Sequence, residues 1–120
     1  TSMKYFVLML TIVCGNVSAA SFNCNKAATL VENEICSNTT LSKLDDALKQ
    51  NYDGALATNI GAEAMQHLKK TQRQWLKERD ACKTAACIEQ KYRQRIDALC
   101  DYPAISGVNW GCVITSEDIN

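Results

Sequence analysis

The sequence contains little proline, glycine or histidine, and neither sign of charge is in excess. One Pro and five Gly among 120 residues argue against a turn-rich all-β domain and against a disordered linker protein. The 13 Lys plus Arg are balanced by 13 Asp plus Glu. Because nucleic-acid binders carry a marked basic excess, we expect no nucleic-acid partner. A chain of this length is typical of one small domain and excludes a multidomain enzyme.

Cysteine, in contrast, is abundant, with seven residues beside a single His. This combination favours a disulfide framework over a metal site or a hydrolytic triad. The Cys82-x4-Cys87 spacing is wrong for a zinc knuckle, and no His pair follows it. The serines lack a nucleophile-elbow context, and there is no glycine-rich phosphate loop. We therefore expect no catalytic residue, no metal site and no cofactor.

The N-terminal segment has the pattern of a secretory signal. Residues 3–20 combine a basic start, an apolar run and small residues before a cleavage site. Val17-Ser18-Ala19 and Ser18-Ala19-Ala20 both fit the cleavage rule. The mature chain is therefore expected to begin at Ala20 or Ser21. The apolar run is too short for a permanent transmembrane helix.

Removal of this segment also removes Cys14 and leaves an even number of cysteines. The residue before Cys14 is not small, so we expect no lipid anchor at that position. An exported chain with an even cysteine count belongs in an oxidising compartment. We therefore predict a periplasmic or secreted protein with no membrane anchor after cleavage. Residues 1–2, which precede the first Met, are interpreted as a cloning remnant.

Residues 21–100 are predicted to form one all-α domain, because apolar residues recur there at helical spacing. The pattern indicates three long helices and one short N-terminal helix, packed as a small disulfide-stapled bundle. The predicted core consists of Leu44, Leu48, Tyr52, Trp75, Leu76, Tyr92 and Ile96.

Capping and turn residues predict where these helices begin and end. Thr29 and Glu32 fit a capping box that opens the short helix. Thr39 or Thr40 is the expected N-cap of the next helix, which ends before the break at residues 59–61.

Several polar side chains fall on or beside the apolar faces of these helices. An isolated charge on a buried face is costly, so such groups normally find partners. We expect a cross-helix network in which Arg79 meets Asp45, joined by Glu32 or Gln72, with Arg95 close beside it. A bidentate arginine–carboxylate pair would fix the helix register. The alternative interpretation is an acid–base pair in a pocket.

Six cysteines allow 15 connectivities, and the sequence alone does not select one. Sequential pairing is preferred, because Cys82 and Cys87 flank a helix corner and Cys112 can return to Cys100. The rival pairing joins Cys24 or Cys36 to that corner. Residues 101–120 hold the only Pro and are expected to form an irregular tail tethered by a disulfide.

Four blocks of residues occur in order along the mature chain. They are Phe22-Asn23-Cys24-Asn25-Lys26-Ala27 with Thr29-x-Val31-Glu32-x-x-Ile35-Cys36; Leu41-Ser42-x-Leu44-Asp45 with Tyr52; Gln72-x-x-Trp75-Leu76-x-x-Arg79-Asp80-x-Cys82; and Cys87 with Tyr92-x-x-Arg95-Ile96-x-x-Leu99. This arrangement resembles the LprI-like family, which is named for a mycobacterial lysozyme inhibitor. The resemblance covers about residues 22–100 and implies an exported, helical, disulfide-bonded domain.

The resemblance implies a cell-envelope binding protein that inhibits lysozyme or a related peptidoglycan-cleaving enzyme. One alternative is a periplasmic immunity protein against a delivered toxin. Both functions require a tight protein partner, either a lysozyme-like hydrolase or a toxin, and the sequence does not separate them. A third possibility is a structural or stress-related envelope protein without an enzymatic target. The oligomeric state is not indicated by the sequence.

The tail contains the candidate partner-binding residues. Inhibitors need a rigid scaffold and an exposed anchor, which is often an aromatic side chain. Tyr102, Ile105 and Trp110 lie between Cys100 and Cys112, where a bridge would staple the segment at both ends. The alternative for Trp110 is that it packs over the helical core.

Overall fold

A computed structural model describes residues 21–101, 112 and 114–120 of the chain. Within these residues the regular structure is entirely helical, which confirms the all-α prediction. The helices are α1 (Leu30–Ser37), α2 (Thr39–Ala57), α3 (Ala62–Asp80) and α4 (Ala85–Cys100). Short 3₁₀ turns precede α1 at Cys24–Lys26 and follow α4 at Ser116–Asp118. No helix in this described part is both long and apolar enough to cross a membrane.

Side chains just before the helices satisfy the free N–H groups of the first turn. Thr29 accepts from the Glu32 N–H at the start of α1, as predicted, and Thr84 accepts from the Cys87 N–H at the start of α4. The N-cap of α2 is Asn38 rather than Thr39 or Thr40. Because α1 and α2 are separated by this single residue, the extended cap conformation falls on it, and Thr39 is already helical.

The core is built around the contact between α2 and α4. Helix α1 packs chiefly on α2, and α3 packs chiefly on α4. Large side chains that are essentially inaccessible to solvent fill the space between the helices, and they include Ile35, Leu41, Leu44, Leu68, Ile88, Tyr92, Ile96 and Leu99. Of the predicted core residues, Leu44, Leu48, Trp75, Tyr92 and Ile96 are buried. Tyr52 is half-buried and packs against this cluster.

Leu76 is a correction to the predicted core. Its side chain is 36% exposed, whereas the adjacent Trp75 is 6% exposed. The buried residues of α3 are Leu68, Gln72, Trp75 and Arg79, a stripe with helical spacing. Leu76 lies about 100° around the helix from Trp75. It therefore turns to the edge of the stripe, because α3 has one main neighbour and buries only a narrow face.

The six cysteines that follow the predicted signal pair in sequence order. The bridges join Cys24 to Cys36, Cys82 to Cys87 and Cys100 to Cys112, with Cα–Cα distances of 5.8, 5.6 and 4.9 Å. They tie the N-terminal turn to α1, close the corner between α3 and α4, and tether the tail to the end of α4. Each end of the bundle is thus covalently fixed.

Candidate functional site

A network of polar groups crosses the centre of the bundle. We call it the Asp45 network, and its members are Ser21, Asp45, Tyr92, Arg79 and Asp80. The Tyr92 hydroxyl donates to Oδ1 of Asp45 at 2.6 Å and accepts from Nη1 of Arg79 at 3.0 Å. Oδ2 of Asp45 accepts from the backbone N–H and the hydroxyl of Ser21. At the other end, Nε and Nη2 of Arg79 both donate to a single oxygen, Oδ1, of Asp80.

Three helices supply the buried members of the Asp45 network. Asp45 lies on the inner face of α2, Tyr92 on α4, and Arg79 in the last turn of α3. Trp75 fixes the α3–α4 side of the arrangement. Its ring meets the Tyr92 ring edge-on at 5.0 Å between centroids, and its Nε1 donates to the Lys91 carbonyl at 3.1 Å. The Arg79 guanidinium lies 5.8 Å from the Trp75 ring centroid, a distance that permits cation–π attraction.

Burial keeps the Tyr92 hydroxyl, at the centre of the Asp45 network, protonated. The pKa of Tyr92 is raised above its ordinary value of 10.0, first by burial and then by the neighbouring Asp45 carboxylate. The hydroxyl therefore stays protonated at neutral pH and donates to Asp45. A phenol is suited to this position because its oxygen can donate one hydrogen bond and accept another.

The observed partners differ from the predicted ones at Arg79. The sequence predicts direct contact with Asp45, but the Tyr92 hydroxyl lies between the two groups. The ion pair of Arg79 is instead with Asp80, its neighbour in sequence. The reason is that the Tyr92 ring fills the space between α2 and α3 and brings its hydroxyl to the point where the guanidinium was expected to reach.

The remaining predicted network residues lie in other places. Gln72 accepts from Nε of Arg95 at 2.8 Å, which links α3 to α4 away from Asp45. Arg95 also donates to the Thr71 hydroxyl. Glu32 accepts from the Thr29 hydroxyl and belongs to the N-terminal cap of α1. The residues that were expected to form one network therefore belong to separate groups of hydrogen bonds in the structure.

The Asp45 network is suited to holding helices together and offers no room for a substrate. Asp45 is 3% exposed, and both of its oxygens accept hydrogen bonds from protein groups. A general acid or base needs a substrate atom within hydrogen-bond reach. Among the described residues, His, Cys, Asp and Glu side chains form no group of three that could hold a metal ion.

Comparison with known protein families identifies the region that contains this network. The family described as "Lysozyme inhibitor LprI" matches residues 23–99, a span that includes Asp45, Arg79 and Tyr92. The chain belongs to the LprI family. The resemblance expected from the residue blocks is thereby confirmed.

Named relatives show how far this LprI likeness extends. Lipoprotein LprI of Mycobacterium bovis and Lipoprotein LprI of Mycobacterium tuberculosis are each 32% identical to this chain over 80 residues. The match covers 63% of this chain and 39% of the length of each relative. The chain thus spans well under half of the proteins it matches. No solved structure matches the chain significantly.

The LprI match ends at residue 99, so the tail and its bridge lie beyond it. The predicted partner-binding residues Tyr102, Ile105 and Trp110 fall outside the described part of the structure. The two ends of their segment are described, and the Cys100–Cys112 bridge joins them. The segment is therefore closed at its base on the end of α4.

Several residues that hold the tail were missed by the sequence analysis. Asn51 is fully buried, and its amide donates to the Ile114 carbonyl at 2.8 Å. Arg93 donates to the carbonyls of Ser116 and Ile119. Asp97 accepts from the Ser116 hydroxyl at 2.7 Å.

Of these tail-binding residues, only Asn51 carried a signal in the sequence. It continues the apolar stripe of Leu44 and Leu48 on α2 at helical spacing, which marks a polar residue that needs a partner inside. The partners of Arg93 and Asp97 lie in a tail without a helical period. No pattern in the sequence could have placed those partners.

Proposed function

We propose that this LprI family member is an exported cell-envelope protein that binds and inhibits lysozyme or a related peptidoglycan-cleaving enzyme. Membership of the lysozyme inhibitor family over residues 23–99 is the observation that carries the proposal. The relatives named Lipoprotein LprI and the three disulfides support a site of action outside the cytoplasm. The signal pattern of residues 3–20 supports the same location.

The scaffold has the rigidity that tight inhibition requires. Ordering loops and side chains on binding costs free energy, so a preorganised surface binds more tightly than a mobile one. Here the Cys82–Cys87 bridge ties α3 to α4, and the Asp45 network joins α2, α3 and α4 before any partner arrives. A protein inhibitor that blocks a cleft also needs no catalytic group of its own.

The segment between Cys100 and Cys112 is the proposed contact surface. It carries Tyr102, Ile105 and Trp110, and aromatic residues often dominate the energy of protein interfaces. Its base is fixed by the bridge and by the Asn51–Ile114 hydrogen bond. Both constraints lower the entropy lost when the segment engages a partner.

A dose-dependent inhibition assay tests the proposal. The oxidised mature protein is added to c-type and g-type lysozymes acting on cell walls, and the loss of lysis is measured. Inhibition that saturates at one inhibitor per enzyme is the expected result. No inhibition at micromolar protein would overturn the proposed target, and pull-down from envelope extracts with toxin candidates would then separate an immunity function from a structural one.

Two variants locate the contact surface within the same assay. Trp110→Ala is expected to weaken inhibition at least about tenfold, which corresponds to about 1.4 kcal/mol, with an unchanged Tm. Leu30→Ala is the matched control, because Leu30 is a large apolar side chain that is 58% exposed at the start of α1. Equal inhibition by both variants would remove the tail from the interface. Unfolding of Trp110→Ala would instead place that ring in the core.

A further inference from the structure

The Ser21 backbone nitrogen is hydrogen-bonded to a buried carboxylate. It lies 2.7 Å from Oδ2 of Asp45, and the Ser21 hydroxyl donates to the same oxygen. The two residues are 24 positions apart in sequence, so this contact is a tertiary one. Asp45 is 3% exposed, whereas Ser21 is exposed. The Ser21 nitrogen thus joins the protein surface to the interior carboxylate.

Among the described residues no ion pair is seen at Asp45, because Lys49, one turn further along α2, interacts electrostatically with Asp45 but forms its ion pair with Asp53. Elsewhere in the fold, Arg79 pairs with Asp80 and Arg93 pairs with Glu89. The other oxygen of Asp45 accepts from a neutral phenol. A carboxylate removed from water is costly unless a positive charge or several hydrogen bonds compensate it. Asp45 accepts hydrogen bonds from the Ser21 N–H, the Ser21 hydroxyl and the Tyr92 hydroxyl, and the Ser21 N–H is the one among them that processing of the chain can convert into a positive charge.

Cleavage of the signal provides that charge at one of its two candidate sites. Cleavage after Ala19 leaves the Ser21 nitrogen as a neutral amide. Cleavage after Ala20 makes it the α-amino group, whose ordinary pKa of about 7.7–8.0 keeps it largely protonated at neutral pH. Only the second site places an ammonium group within hydrogen-bond distance of Asp45.

We propose that signal cleavage occurs between Ala20 and Ser21, and that the new α-ammonium of Ser21 binds the Asp45 carboxylate. The inference rests on the proposed export of the protein. Hydrolysis by a leader peptidase consumes one water and breaks the C–N bond. The hydroxyl group goes to the Ala20 carbonyl carbon and the hydrogen to the Ser21 nitrogen. The resulting acid loses a proton to solvent, and the amine takes one up.

The consequence is a fold whose stability depends on correct processing. In the uncleaved chain Asp45 receives a neutral N–H, whereas in the processed chain it receives an ammonium group, which adds the Coulomb attraction between opposite charges to the hydrogen bond. Maturation and completion of the network are then the same event. The Asp45 carboxylate then binds a primary ammonium group, and that group is the N-terminus that cleavage creates on the same chain.

Oxidised chains with defined first residues test the ion pair. One begins at Ser21 with a free amine, one begins at Ser21 with an acetylated amine, and one begins at Ala20. The free Ser21 chain is expected to have a Tm about 4 °C or more above that of the acetylated chain, with the Ala20 chain close to the acetylated one. Equal Tm values for the free and acetylated Ser21 chains would overturn the proposal.

Two variants assign any difference in Tm to Asp45. In Asp45→Asn, the gap between free and acetylated chains is expected to close, whereas in Ser21→Ala it persists because the ammonium remains. If Asp45→Asn does not fold, amine labelling of the wild-type chains decides. The Ser21 amine should react with an acetylating ester at least about fivefold more slowly in the folded than in the unfolded protein, and an equal rate overturns the proposal.

Export supplies the last test. N-terminal sequencing of the exported, oxidised protein is expected to find Ser21 as the first residue, and a chain that begins at Ala20 would contradict the assigned cleavage site. The Tm comparison uses refolded chains, so it fails only when the ion pair is absent. Failure of lysozyme inhibition alone would leave that comparison unchanged.

Discussion

At the scale of single residues, the hydroxyl of Tyr92, a residue of α4, connects α2 to α3. It donates to Asp45 and accepts from Arg79, so its neutral form is built into the folded state. Burial and the Asp45 carboxylate raise the pKa of this phenol. An acid whose pKa is raised by folding stabilises the protein fully below its unfolded pKa and loses that contribution as pH rises toward the folded pKa.

The free energy of unfolding is therefore expected to fall as pH rises above about 10, the ordinary pKa of tyrosine. Urea unfolding at a series of alkaline pH values measures this dependence. Tyr92→Phe is expected to be about 1–3 kcal/mol less stable at neutral pH, because it removes one donor from Asp45 and one acceptor from Arg79. The variant should also lose much of the alkaline slope. An unchanged slope would show that other groups cause it.

Arg79→Ala is expected to reduce the free energy of unfolding by about 2–3 kcal/mol, because Tyr92 then loses its charged donor and Trp75 a packing neighbour. Chemical denaturation measures the loss. Arg73→Ala is the matched control on the same helix, since Arg73 is exposed, and it should change stability by no more than about 0.5 kcal/mol. Similar losses in both variants would argue against the Asp45 network.

Asp45 and Arg79 were recognisable in the sequence because each is a charged residue on an apolar stripe. Tyr92 was recognisable only as a core residue, because helical periodicity shows that a side chain faces inward but not what its hydroxyl will bind. Which hydroxyl or guanidinium reaches Asp45 depends on how α2, α3 and α4 rotate against one another. Small changes in that rotation exchange the partners, so the sequence pattern predicts the members of the network better than their pairing.

At the scale of elements, the helix starts depend on short-range chemistry. The cap at Thr29 was predictable because the residues that make it lie within one turn. The predicted N-cap of α2, Thr39 or Thr40, lies one or two residues after the observed cap at Asn38, since all three residue types are capable caps. The length of the α1–α2 connection decides among them, and that length is set by how α1 packs on α2.

Replacement of Asn38 by Ala is expected to cost about 1 kcal/mol, because the Leu41 N–H loses its side-chain acceptor. Thr39→Ala, one position later and exposed within the helix, is the comparison. It should change stability little, since alanine has the higher helix propensity. Thermal unfolding of the two variants measures the difference, and the reverse order would restore Thr39 as the cap.

At the scale of the whole molecule, the three bridges fix the N-terminal turn, the α3–α4 corner and the tail, and Cys82 is itself part of the buried core. The closed loop is longer for Cys24–Cys36 than for Cys82–Cys87, with sequence separations of 12 and 5. In the chain-entropy account, a longer closed loop removes more freedom from the unfolded chain. The N-terminal bridge is therefore the more stabilising of the two.

Replacing both Cys24 and Cys36 by Ala should reduce the free energy of unfolding by about 3 kcal/mol, against about 2 kcal/mol for the Cys82 and Cys87 pair. Urea unfolding of the two double variants gives the comparison. If the shorter bridge contributes more, its effect comes from fixing the α3–α4 corner in the folded state, and the entropic explanation would be wrong for this protein.

The Cys100–Cys112 bridge has an evolutionary consequence. A segment whose two ends meet in one covalent bond can change in length or composition at little cost in closure entropy, while the helices beneath it stay the same. The LprI match stops just before this bridge. Under the function proposed above, natural variation in this segment would change the partner while the sequence of the helical scaffold is conserved.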